Sequence, residues 1–222
     1  MATRPVFVPD TDPTCGQLVH EHEVDFQWMP EGQPDPRNAN ILRLHRAAGL
    51  RKLEPLLEVS AGSADPLGVR VGPEQLTVRN EDSYFISLDR VYHGSKVFTG
   101  GGPFTDLYRR HEGDVRKDPR LDTSGSLAGF RFQGLEWGRK SGTMFYDWLV
   151  VQAIHRQRKL GAELGKYAGF TDVGCHSGGN EVCHARSCAL YVALAGKKLV
   201  DEVLTDQDRF IETLILDSFY GR

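Results

Sequence analysis

Ser87-Leu88-Asp89-Arg90-Val91-Tyr92-His93-Gly94-Ser95-Lys96-Val97-Phe98, followed at once by Thr99-Gly100-Gly101-Gly102-Pro103, is the stretch that organises the chain. Ser87 has a hydroxyl suited to cap a helix N-terminus. Leu88, Val91, Tyr92, Ser95 and Lys96 then continue at helical spacing until the glycine run and Pro103 halt them. On such a helix Asp89, His93 and Lys96 fall at i, i+4 and i+7, so a carboxylate, an imidazole and an amine share one face. Read for chemistry, the three converge on a ligand, and Val91, Tyr92, Val97 and Phe98 supply apolar walls. Such walls lower a lysine pKa and free its amine as a nucleophile. Read for structure alone, the same spacing gives a solvated polar stripe with an Asp89–His93 pair.

C-terminal to this stretch, Phe104 to Leu121 is charged and partly helical, and Ser126 to Phe132 alternates like a strand. Met144, Phe145, Trp148, Leu149, Val151 and His155 mark an amphipathic helix over about 143–158. A helix over 160–167 follows, then a glycine-rich turn region from Gly169 to Gly179, and helices near 182–199 and 210–219 close the chain. N-terminal to it, Val6-Phe7-Val8 and Val24 to Trp28 read as strands, and Pro30, Pro34 and Pro36 break structure. A helix carries Ile41, Leu42, His45 and Ala48 up to Gly49. Leu56 to Val59 is a strand, 62–68 a loop and Leu76-Thr77-Val78 a short strand. Helices and short strands are mixed, without regular βαβ alternation.

The 222 residues are 40% hydrophobic and 26% charged, with 27 Lys+Arg against 30 Asp+Glu and a net charge of -3. Disorder, collagen and coiled coil are thereby excluded, and the length suits one domain, with or without a small lobe. No apolar run reaches the roughly 20 residues of a spanning helix. The opening residues lack the apolar core of a signal peptide, which predicts a cytoplasmic protein with Cys15, Cys175, Cys183 and Cys188 as free thiols. Net charge near zero excludes a protein that coats nucleic acid by bulk electrostatics. Locally the balance differs. Between Arg109 and Lys140 eight basic residues face five acidic ones, a rim able to attract a pyrophosphate or a DNA strand.

Familiar motifs are missing. Gly100-Gly101-Gly102 has no Walker lysine behind it, and Cys175, His176, Cys183 and His184 match no closed zinc spacing. Trp148 reads either as a core tryptophan or as a platform for a base or ribose. Asp172 reads either as a turn cap or as a functional carboxylate.

The order of several segments resembles the NADAR superfamily, named for its link to NAD and ADP-ribose metabolism. They are Ser87 to Phe98, Gly101-Gly102-Pro103-Phe104, Leu121 to Phe130, Phe145-Tyr146-Asp147-Trp148-Leu149 and Ala185 to Leu194. More narrowly the chain is similar to NADAR antitoxin-like proteins associated with DarT-type DNA ADP-ribosyltransferase toxins. Arg4 to Pro9, Val24 to Pro30 and Leu67-Gly68-Val69 extend the likeness over nearly the whole chain. The resemblance implies an α+β, predominantly helical NADAR-like (YbiA-like) fold with short strands in the N-terminal half. It implies one domain over 1–222, with 1–80 as an N-terminal extension packed on the core.

It further implies an N-glycosidase that removes ADP-ribose from modified guanine in DNA or nucleotides and so acts as antitoxin to a DarT-type toxin, with no metal or redox cofactor. The superfamily places Glu seven residues before Lys with Gln between. Here Asp89, His93 and Lys96 hold those positions, so only the lysine matches. Asp89 or protonated His93 is the expected general acid, Lys96 the nucleophile that captures the ribose carbon as a Schiff base, and Asp172 the group on ribose hydroxyls or water. Trp148 and Asp147 are expected at the ligand, with backbone amides of Gly100, Gly101 and Gly102 at the pyrophosphate. The alternatives are an ADP-ribose-binding module without turnover, an antitoxin that occludes its toxin by direct contact, and an N-glycosidase of a small nucleotide metabolite.

Overall fold

The structure is a computed structural model that describes residues 1–139, 142–176 and 182–217. Its strands are β1 (Ala2–Pro9), β2 (Val19–Phe26), β3 (Leu56–Glu58), β4 (Thr77–Arg79), β5 (Phe85–Ser87), β6 (Lys96–Phe98), β7 (Leu127–Phe132), β8 (Leu135–Gly138) and β9 (Gly169–Thr171). The helices are α1 (Pro36–Gly49), α2 (Pro66–Arg70), α3 (Leu88–Gly94), α4 (Glu112–Val115), α5 (Arg120–Thr123), α6 (Gly142–His155), α7 (Arg158–Leu164), α8 (His184–Gly196), α9 (Val200–Val203) and α10 (Gln207–Ile215). A 3-10 turn spans Thr105–Arg109.

Two helices form the centre. In α8 every residue from His184 to Leu194 is buried, and α6 is buried almost throughout from Met144 to Ile154. A helix apolar on all sides belongs in an interior. Ala185, Ala189 and Ala193 recur every fourth residue of α8 with no exposure, a small-residue row that lets neighbours approach closely. α8 packs on β1 and β9 on one side and on α6 on the other, and α6 packs in turn on β7 and β8.

The four-stranded sheet runs β2-β1-β9-β3, with β9 antiparallel to β1 and parallel to β3. Alternation along β1 sends Phe7 into the main core and Val6 into a second cluster with Val24, Phe26, Ile41, Leu44 and Ala48, covered by α1. The N-terminal strands thus share a sheet with residues 169–171. β6, β7 and β8 form a three-stranded sheet, and β4 pairs with β5.

Four expectations need correction. The helix begun at Ser87 ends at Gly94, where a side chain would strike the Tyr108 ring. Lys96 therefore lies on a strand, paired with Phe130 of β7. The first three residues of the 169–179 region form a central strand, with the backbone so close that a Cβ on Gly169 would meet Leu56 and the Phe7 carbonyl; Gly179 lies outside the described residues. Strands also populate the second half of the chain, at 127–138 and 169–171, so the fold is a mixed α/β arrangement with several sheets. Cys175 and Cys183 are bonded to each other, while Cys15 and Cys188 are free.

Smaller shifts follow the same physics. The 62–68 loop contains the start of α2, capped by the Asp65 side chain, and the last described helix is 207–215, with Phe219 outside the described residues. No described helix is long and apolar enough to cross a membrane.

Candidate active site

α3 presents Asp89 in its first turn, where the positive end of the helix favours a carboxylate, and His93 one turn later. Asp89 Oδ1 accepts from Arg116 Nε at 2.9 Å and sits 2.7 Å from Arg116 Nη2. His93 Nε2 lies 3.6 Å from the same oxygen. His93 Nδ1 lies 3.2 Å from Lys96 Nζ, so turning from helix to strand after Gly94 brings lysine and imidazole together in place of the expected shared helical face. The result is a continuous polar chain, Arg116–Asp89–His93–Lys96. Asp89 is only 4% exposed, and its Oδ2 is buried with no hydrogen-bond partner among the described residues.

Of the apolar walls expected for Lys96, Tyr92 is in place. Lys96 Nζ lies 5.0 Å from its ring centroid, a favourable cation–π distance for an ammonium. Tyr92 stacks on Phe130 at 5.3 Å and meets Tyr146 edge-on at 5.1 Å. Val91 belongs instead to the core, and Phe98 stacks on Phe104. Behind Tyr92, the Tyr146 hydroxyl lies 2.9 Å from His184 Nδ1, and His184 Nε2 faces the Val71 carbonyl. A carbonyl can only accept, so Nε2 carries the His184 proton and Tyr146 donates to Nδ1.

Burial sets the ionisation here. It pushes His93 down to about 4, helped by the Lys96 charge and opposed by Asp89. Lys96 is lowered by burial first, with Asp89 and Asp122 pulling it back up and Arg116 pushing it down. With its pKa so lowered, the His93 ring presents Nδ1 as a hydrogen-bond acceptor toward Lys96 Nζ.

A stability prediction follows. His93, and likewise His45 and His184, titrate below the unfolded value of 6.5 because of burial. Their contribution is complete above pH 6.5 and is lost as the pH falls below it, for His93 down to about 4, because the unfolded chain takes up protons first. Glu58, raised by burial, acts in the opposite sense. The melting temperature is expected to fall between pH 6.5 and 4, and less steeply in His93→Gln; equal slopes in the two proteins contradict the assignment.

The remaining expected residues lie elsewhere. Trp148 is 5% exposed in the main core, 5.6 Å from Trp137, and this placement favours the core reading. Asp147 is buried, accepts from Ser187 Oγ at 2.6 Å and faces Arg186 Nη1 at 3.4 Å, holding α6 to α8. The Gly100 amide donates to the Ser124 carbonyl at 2.9 Å and the Gly101 amide to Phe98 at 3.4 Å, so neither is free for a pyrophosphate. Gly102 has φ +92° and turns so tightly that a Cβ would lie 2.4 Å from the Lys96 carbonyl. This glycine run packs the lysine strand.

Asp172 Oδ1 accepts from the Gly174 amide at 2.9 Å, and its charge acts on His184. No hydrogen bond or ion pair among the described residues joins it to Lys96, His93 or Asp89. The Cys-His-Cys-His set is consumed by the disulfide and by the His184 contacts. Four of the seven described bases of the rim are paired, Arg110 and Arg120 with Asp106, Arg116 with Asp89 and Arg131 with Glu136; Lys140 lies outside the described residues.

Arg116, Tyr146 and His184 carry no sequence signal for this site, being 27, 57 and 95 positions from Asp89. Arg116 was visible only as one of the rim bases. A groove of about 1,030 Å³ lined by Tyr84, Phe85, Arg90, Asp106, Tyr108 and Arg131 is separate and includes none of Asp89, His93 or Lys96.

A search of curated proteins finds no match to the chain. A family model, described as the DarT1-associated NADAR antitoxin, matches residues 2–220. With that match spanning almost the full length, the chain belongs to the NADAR-DarT1 antitoxin family.

Proposed function

We propose that the protein is an N-glycosidase that releases ADP-ribose from ADP-ribosylated guanine in DNA or nucleotides, and that this reaction reverses the modification made by a DarT-type toxin. The observation that carries the reading is Lys96 Nζ, half-buried on the Tyr92 ring and 3.2 Å from a neutral histidine. An amine so placed is a nucleophile with its base at hand.

In this mechanism Lys96 Nζ attacks C1″ of the ribose as the bond from C1″ to the guanine nitrogen breaks. His93 Nδ1 takes the proton that Nζ loses, and Asp89 stabilises the imidazolium across 3.6 Å. The imidazolium then delivers that proton to the departing guanine, so His93 serves first as base and then as acid, as in other nucleophile–histidine–carboxylate systems. The sugar ring opens to a Schiff base on Lys96, and water releases ADP-ribose and regenerates the amine.

The test is incubation of the purified protein with a guanine-ADP-ribosylated oligonucleotide and chromatography of the products. Free ADP-ribose with restored guanine supports the proposal. Tight binding without release identifies a binding module, and protection only in stoichiometric complex with a toxin identifies an occluding antitoxin; either outcome overturns it.

A further inference from the structure

The Arg116 guanidinium holds Asp89 with Nε and Nη2 directed at a single oxygen, 27 residues away in the chain. It reaches the site from the end of α4, and 55% of its side chain is exposed whereas the Asp89 side chain is 6% exposed. A half-exposed arginine that spends two donors on one buried carboxylate oxygen fixes where that negative charge points. Without it, Asp89 is left facing His93 Nε2 at 3.6 Å, and through His93 the amine of Lys96.

We infer that Arg116 is a positioning residue for catalysis: with two donors on one oxygen it sequesters the Asp89 carboxylate and so sets the charge that His93, and through it Lys96, faces. The inference rests on the reading of Lys96 as the nucleophile. Two physical effects share one direction. A free Asp89 carboxylate favours protonated His93 and protonated Lys96, and removal of the guanidinium removes a positive charge that disfavours both.

The titratable and charged groups around Lys96 among the described residues are Asp89, Tyr92 and His93 of α3, Asp122 of α5 and Arg116, with Tyr146 of α6 behind Tyr92. Phe130, its strand partner, is uncharged. Asp89 and Asp122 favour the ammonium, and Arg116 is the cation opposing them. His93 opposes them too when protonated. Loss of Arg116 therefore leaves the carboxylates without their fixed counter-charge.

The experiment compares wild type with R116K, R116Q, D89N and the double variant D89N/R116Q. In each, the pH dependence of kcat/KM on the ADP-ribosylated oligonucleotide is measured, together with the pH midpoint for acylation of the Lys96 amine by a water-soluble acylating reagent, read by mass spectrometry. R116Q is expected to move the acid limb and the acylation midpoint upward by about one pH unit and to lower kcat/KM at pH 7 about tenfold. R116K retains most of the wild-type position because it keeps the charge, though not the fork. In D89N/R116Q the upward shift is expected to shrink, because the carboxylate that needed sequestering is gone and only the loss of the guanidinium charge remains.

Wild-type and R116Q midpoints that coincide overturn the inference, as does an R116Q shift that is undiminished in the D89N background. Because acylation needs no turnover, a wild type that fails to release ADP-ribose overturns the glycosidase reading while the midpoints still decide the role of Arg116.

Discussion

Lys96→Ala is expected to lower release of ADP-ribose from a modified guanine oligonucleotide by on the order of 10³-fold or more, with little change in melting temperature. The amine has no substitute, since His93 is its partner and Tyr92 its support. Lys96→Arg separates nucleophilicity from charge. A guanidinium keeps the positive charge but stays protonated, so Lys96→Arg should lose as much as Lys96→Ala. If the arginine variant instead keeps a large part of the rate, Lys96 acts through its charge, and the covalent step is wrong. The side chain is half-buried and its contacts with His93 and Tyr92 span only three or four residues of chain, so both variants are expected to fold and to bind ADP-ribose.

Trp148→Ala should cost about 3–5 kcal/mol of stability, a large part of what a domain of this size possesses. The indole is 5% exposed and packs against Trp137, which itself touches Phe145 and Phe210, so truncation opens a cavity where α6, β8 and α10 meet. Neither Trp148 Nε1 nor Trp137 Nε1 has a hydrogen-bond partner among the described residues, so the energy at stake is packing. Chemical denaturation measures it. Trp148→Phe refills most of the volume and is expected to keep near wild-type turnover per folded molecule. A Trp148→Phe protein of normal stability with a KM raised tenfold would restore the ligand-platform reading.

Elements made by near neighbours were legible in the sequence. The Ser87 hydroxyl does accept from the Arg90 amide, as its place before Leu88 suggests. α6 forms close to the 143–158 expected from helical spacing, though it is buried nearly all round where an amphipathic helix was expected, α8 lies within the expected 182–199, and α1 ends at the Gly49 expected. What was illegible depends on distant partners. β9 is a strand only because β1 and β3 flank it, and parallel pairing of Leu57 with Phe170 leaves no local trace. Lys96-Val97-Phe98 could continue a helix by spacing, yet β7 offers it a ladder, and Gly94 provides the break.

The site divides the same way. Asp89, His93 and Lys96 were visible together, though for a helical geometry that the chain does not adopt. The cation that holds Asp89 and the imidazole that holds Tyr146 arrive from segments brought near only by folding. The glycine run after Phe98 suggested anion binding by amides. Two of those amides are spent on local carbonyls, and glycine is needed instead because Gly102 backs onto the strand of the lysine.

The central claim, a covalent bond between Lys96 and the ribose, is tested most directly by sodium borohydride added during turnover of an ADP-ribosylated guanine oligonucleotide, followed by peptide mass spectrometry. The predicted result is a reduced ADP-ribose adduct on the peptide containing Lys96, absent without borohydride and absent from Lys96→Ala. Rapid release of ADP-ribose with no adduct on Lys96 at any time point would contradict it.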